Sequence, residues 1–160
     1  YAHDAGFIHY FYTGNYTEAS RWFERAAAMP DAPGWLAPLA AETRLGGGDR
    51  NGARQMLERL TTSEEPYIQR HAQRGLLQLQ ALDRIDALQA EVERFYAARR
   101  VYPFGWQELL GMIPRDPAGV PYMYDKETHT VSLSEGPKGS PLSPLPNALT
   151  RTRPAARVAK

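Results

Sequence analysis

The sequence predicts a mainly α-helical chain. Antiparallel helix pairs stack as a short solenoid, followed by a small C-terminal β-hairpin cap and an extended tail. Three observations carry this expectation. Small and bulky apolar residues recur 34 residues apart. Apolar residues follow a helical period between clear Gly and Pro breakers. After Arg100 the chain turns to prolines, aromatics and β-branched residues, the vocabulary of turns and short strands.

The repeat is read by aligning Gly14-Asn15-Tyr16-Thr17-Glu18-Ala19 with Gly48-Asp49-Arg50-Asn51-Gly52-Ala53. Gly14 then pairs with Gly48, Ala19 with Ala53, Phe23 with Leu57 and Ala26 with Leu60. Ala87 lies a further 34 residues on. Each Gly tolerates positive φ at the end of one helix. The Asn or Asp after it can cap the next. Small Ala19 and Ala53 let two helices approach, and Phe23 and Leu57 fill the space to the next unit.

This period and spacing resemble the tetratricopeptide repeat, whose pattern places a small residue, a bulky one and a closing proline along the second helix. Tyr10, Ala19, Phe23 and Ala26 match its later signature positions, with Pro30 and Pro33 closing the pair. The family's early Trp and Leu-Gly positions hold His3, Gly6 and Phe7 in the first unit, and Ala37, Ala40 and Ala41 in the second. The resemblance implies a short tetratricopeptide-like solenoid over residues 1–82. A unit of this kind cannot bury its apolar stripe alone, so units must stack.

In chain order, helices are expected at about 2–13, 17–29, 34–46, 50–61, 66–81 and 84–99. Pro66 suits a helix start. Asp83 is read as the cap of the last helix, so a third, degenerate helix pair is expected to turn near Leu82. Ile85, Leu88, Val92, Phe95 and Tyr96 form a stripe for core packing. A short helix is expected within Phe104–Met112, with Trp106, Leu109 and Leu110 on its apolar side. A turn follows at Pro114–Gly119. A hairpin is built from Val120–Tyr124 and Thr130–Leu133. Residues 136–160 contain five prolines and five bases, with no acid, and are expected to be an extended tail.

The segment 83–135 brings a second resemblance. A long helix ending in Phe95-Tyr96, then Tyr102-Pro103, Trp106-Gln107-Glu108-Leu109-Leu110 and Asp116-Pro117-Ala118-Gly119-Val120-Pro121-Tyr122-Met123-Tyr124, is similar to the C-terminal part of type II secretion major pseudopilins. The resemblance spans about 85–134 and implies a cap in which Tyr122 and Tyr124 share a strand face against the long helix. That family's calcium loop is acidic. Ser134–Leu149 here holds only Glu135, so no calcium site is expected.

Composition narrows the function. The chain has 160 residues, 19 Lys plus Arg, 18 Asp plus Glu and a net charge of +1. That balance argues against a general nucleic-acid binder, which carries a basic excess. There is no cysteine, so disulfides and thiolate chemistry are excluded and the redox compartment stays open. Mean hydropathy is −0.53, and no apolar run reaches the roughly 18–20 residues of a membrane helix. The chain starts at Tyr1 and is read as a piece of a longer protein.

No constellation with catalytic spacing emerges. His3, His9, His71 and His129 form no H-x3-H or H-E-x-x-H pair, so neither metal nor cofactor is expected. Glu64-Glu65 and Glu91/Glu93 are too close in sequence to face each other on a helix. Gly46-Gly47-Gly48-Asp49-Arg50 lacks the Lys-Ser/Thr of a phosphate loop and reads as a turn.

Surface recognition remains. The tetratricopeptide resemblance implies a groove lined by the first helix of each pair. It would present Asp4, Ile8, Phe11 and Tyr12, then Trp35, Glu42 and Leu45. The alternative is that Phe11 and Trp35 are buried between helices. The expected function is a non-enzymatic protein-binding module or scaffold, with a protein partner and no nucleic acid. Through the resemblances its setting is a bacterial, envelope-associated complex. The alternatives are an accessory subunit docked permanently in a larger assembly, and a secretion or pilus component.

Overall fold

The computed structural model describes residues 1–145. They are mainly helical, with one small antiparallel sheet. The order is α1 (Ala2–Ile8), a π-helical turn (His9–Thr13), α2 (Tyr16–Ala27), α3 (Leu36–Gly46) and α4 (Arg50–Leu60), then α5 (Pro66–Arg99), α6 (Trp106–Leu110), β1 (Met123–Asp125) and β2 (Thr130–Ser132). The chain divides into two compact units, Tyr1–Ala72 and Gln73–Pro144.

In the first unit two turns are built alike, 34 residues apart. Gly14 takes φ 61°, and Asn15 Oδ1 accepts the Glu18 N–H at 3.1 Å. Gly48 takes φ 85°, and Asp49 Oδ1 accepts the Gly52 N–H at 2.8 Å. A left-handed glycine stops one helix, and a short polar side chain satisfies a free N–H of the next. Ala19, Phe23, Ala53 and Leu57, the paired positions of the sequence alignment, are all buried.

Helix α1 meets α2 closely at Gly6. A Cβ there would stand 2.5 Å from the Phe23 ring, so the glycine admits the aromatic. Pro38 sits in the first turn of α3, where no intrahelical N–H is missed. Arg44 of α3 is drawn to Glu24 of α2 at 2.6 Å and to Asp49 at 3.4 Å.

The sequence reading placed a break at Leu82-Asp83. The structure corrects it: α5 runs unbroken from Pro66 to Arg99, so the third helix pair is a single helix. No Gly or Pro interrupts residues 76–99, where Leu, Gln, Ala, Arg and Glu predominate. Each is a good helix former, and one interior Asp costs a few tenths of a kcal/mol, too little to stop propagation. Leu88 and Val92 of the expected stripe are buried, Ile85 and Phe95 half-buried, and Tyr96 exposed.

The second unit is fastened to its part of α5 by polar side chains. Gln89 donates to the His129 carbonyl at 3.0 Å and accepts the Val131 N–H at 2.9 Å. The hairpin pairs Met123 with Ser132, Tyr124 with Val131 and Asp125 with Thr130. Asp125 Oδ1 accepts the N–H groups of Glu127 and Thr128, and His129 closes the turn at φ 57°. Trp106 donates to the Tyr122 carbonyl at 2.9 Å, tying α6 to the hairpin entry.

The expected tail is corrected over its first residues. Ser140 and Leu142 are buried. Gln78 Nε2 donates to the Leu142 carbonyl at 2.8 Å and to that of Pro144 at 3.2 Å. Arg74 donates to the Ser143 carbonyl at 3.3 Å. An extended chain without its own ladder finds donors on a helix face instead. The rest of the expected tail, residues 146–160, lies outside the described residues.

Candidate functional site: an aromatic face on the first unit

The face begins at the end of α1. Its last turn widens to a π-helix over His9–Thr13 and closes when Gly14 and Asn15 both donate to the His9 carbonyl. π-Helical turns are rare and recur at functional positions. Phe11 and Tyr12 lie in this turn, and they are 70% and 85% exposed.

Phe11 is not isolated. It stacks on Phe7 with ring centroids 6.0 Å apart and planes 15° from parallel. Phe7 in turn meets Trp35, just before α3, at 6.4 Å, and the edge of buried Phe23 at 5.1 Å. A half-buried ring is thus braced from below by the core and carries exposed rings on two sides. Trp35 is 47% exposed and Ile8 53%. Rings held in place lose little rotamer freedom on binding, which is why Tyr and Trp dominate binding hot spots.

The face continues to α5. A Cβ on Gly34 would lie 3.1 Å from the Glu65 carboxylate and 3.3 Å from the Ile68 side chain, so the backbone beside Trp35 rests against the first turns of α5. Further along, Glu42 of α3 accepts from His71 Nε2 at 2.8 Å, and His71 lies beside the ring of exposed Tyr67 at 6.2 Å.

Of the groove residues expected from sequence, Phe11 and Trp35 are brought together through Phe7. Glu42 is exposed and joined to His71. Asp4 is exposed and bound to His3 and the N-terminal amine. Ile8 and Tyr12 are exposed, without ring contacts to this ladder. Leu45 is corrected: it is 2% exposed and belongs to the core. The physical reason is that α3 is covered on both sides near its end, by α2 and α4. Burying Leu there is worth roughly 2 kcal/mol. Sequence reasoning missed Phe7, Glu65, Tyr67 and His71. Their alignment positions carried no signature, and the erroneous break in α5 hid the helix that brings the last three.

A second feature lies within the other unit, where a cleft of about 510 Å³ is bounded by Asp83, Arg84, Arg115, Asp116 and Tyr122. Asp116 is buried, and its Oδ1 accepts the N–H groups of Ala118 and Val120 at 2.9 Å each. Gly119, at φ 85°, permits that tight turn. Burial pushes the Tyr122 hydroxyl up to about 12. The Asp116 charge adds to the rise and Arg84 opposes it. The hydroxyl reaches the Ala81 carbonyl of α5 at 3.5 Å, so Tyr122 packs on the helix as expected. Tyr124 lies instead between Trp106 and His129, with its hydroxyl 3.2 Å from His129 Nδ1. Burial raises its pKa as well, helped by Tyr102.

Among the described residues no group of three or more His, Cys, Asp or Glu side chains could hold a metal, and no helix is long and apolar enough to cross a membrane. No family model, curated protein or solved structure matches the chain.

Proposed function

We propose that this chain is a non-catalytic protein-interaction module, and that the aromatic face of the first unit holds an extended segment of a partner protein. The observation that carries the reading is the braced ladder Phe11–Phe7–Trp35: outer rings well exposed, inner ring seated on buried Phe23. Exposed rings held this way offer large contact area at low ordering cost.

The test screens the full chain against an array of extended peptides, beside a Phe11→Ala/Trp35→Ala variant with an unchanged helical spectrum. The variant is expected to lose binding at least 10-fold, about 1.4 kcal/mol or more. Equal binding by both proteins sinks the reading.

One observation favours a second reading, an accessory subunit docked through its other unit. Phe104, Met112, Ile113 and Met123, around α6 and β1, are all more than half exposed. Lys126 lies 3.7 Å over the Phe104 ring and partly screens it. Peptide binding that fails with Phe104→Ser/Ile113→Ser, and not with the face variant, would support this alternative.

A further inference from the structure

The charges of the first unit are sorted between its helices. The segments that form the aromatic face are α1, the stretch leading into α3, α3 itself and the start of α5. They carry exposed Asp4, Asp31, Glu42, Glu64 and Glu65. Their bases are Arg44 and Arg70. Arg44 is turned away from the ladder, engaged by Glu24 of α2 and by Asp49 at the start of α4. Helices α2 and α4 carry Arg21, Arg25, Arg50, Arg54 and Arg59 against Glu18, Glu24 and Glu58. The unit as a whole is nearly balanced, so the asymmetry lies in placement.

Two of the acids stand at the ladder itself. Glu65 lies against the backbone at Gly34, next to Trp35. Glu42 is held by His71 on the same side of α3 that meets α5. An acid-edged row of rings has a definite complement. Arg side chains lie flat on aromatic faces and reach carboxylates with their fork of donors, while their alkyl stems cover apolar surface. An acidic segment would meet like charges on both edges of the ladder, which costs affinity and slows encounter.

We infer that the partner segment is cationic: an extended peptide alternating Arg or Lys with apolar residues, whose apolar side chains pack on Phe11 and Trp35 while its bases meet Glu42 and Glu65. This rests on the peptide-binding reading above and adds the charge of the ligand to it. The rim charges are exposed, so they act mainly on encounter rate and selectivity, and salt weakens them.

The experiment uses the full chain labelled with ¹⁵N and follows the Trp35 indole N–H, assigned with Trp35→Phe. Two synthetic eleven-residue peptides are titrated in low salt. One has Arg at alternate positions among Leu and Ser; the other has Glu in place of every Arg. The Arg peptide is expected to shift the Trp35 signal and to bind at least 10-fold more tightly than the Glu peptide. Glu42→Lys/Glu65→Lys should lower its affinity about 10-fold, and 0.5 M NaCl should do the same. If both peptides move Trp35 with equal affinity, the cationic inference is overturned while the aromatic face stands. If the Arg peptide binds without moving Trp35, or loses nothing in the double variant, the acidic rim is not its site and the inference falls. If the Glu peptide alone moves Trp35, the inference is reversed in sign and the face again survives. If neither peptide binds, the inference fails, and the array result with Phe11→Ala/Trp35→Ala decides the face separately.

Discussion

The two units of this chain are held together by different forces. In the first, short helices meet through small residues and one large ring: Ala19 and Ala53 allow approach, Gly6 admits Phe23, and Leu57 fills the equivalent place one repeat later. Its polar side chains act locally, capping a helix three residues on, as Asn15 and Asp49 do. In the second unit the decisive contacts run from polar side chains to backbone far away in sequence. Gln89 grips the hairpin 40 and 42 residues downstream, and Gln78 grips Leu142 across 64. Apolar packing between helices is tolerant of detail and leaves spare surface. Hydrogen bonding to an irregular chain is directional and fixes one path. The first unit accordingly offers the braced, exposed face, and the second spends its side chains on holding its own loops.

The comparison can be broken most forcefully at Phe23. Phe23→Ala should destabilise the first unit by about 3–5 kcal/mol, since it removes a fully buried ring and leaves a cavity. Hydrogen exchange resolved by residue should show amides of α2 and α3 losing protection while those of β1 and β2 hold theirs. Equal loss in both would mean that the units unfold as one.

The converse change is Gln89→Leu. It leaves the His129 carbonyl and the Val131 N–H without their partner, and should cost about 2 kcal/mol. Protection should fall at β1 and β2 and remain in α2. A variant as stable as the parent would show that packing, not hydrogen bonding, secures the hairpin.

The smallest effect sharpens the comparison through pH. Tyr122 is raised to about 12 in the folded unit, against an ordinary value near 10. A group raised on folding stabilises the fold while neutral, so its contribution is complete below pH 10 and is lost as pH climbs from 10 through 12. The loss should be on the order of 1–2 kcal/mol, less than the full linkage value because the hydroxyl end borders the cleft. Alkaline denaturation of the hairpin should show this fall, and Tyr122→Phe should abolish it. A parent and variant with the same profile would place the titration elsewhere.

Legibility followed the same division. The 34-residue spacing showed the buried positions Ala19, Phe23, Ala53 and Leu57, and the Gly-Asn and Gly-Asp turns, because each is a local rule with a fixed offset. The hairpin turn at Asp125–His129 was readable for the same reason. Leu45 was misplaced because periodicity ranks a helix face without saying how many neighbours cover it. The break at Leu82 was misplaced because a repeat was extended beyond the residues that stop helices. Phe11 and Trp35 were found as separate candidates, but nothing local links them to Phe7.

By itself, then, the sequence determined the helical class, the capped turns of the first unit, the buried alanines and the hairpin, since propensity, capping and apolar period act within a few residues. Only the tertiary structure decided that α5 is continuous, that Gln78 and Gln89 fasten distant backbone, and that Phe7 braces Phe11 and Trp35 beside Glu42 and Glu65. Those are pairings between residues far apart in the chain. Their energy depends on distance and burial in three dimensions, which no local pattern encodes.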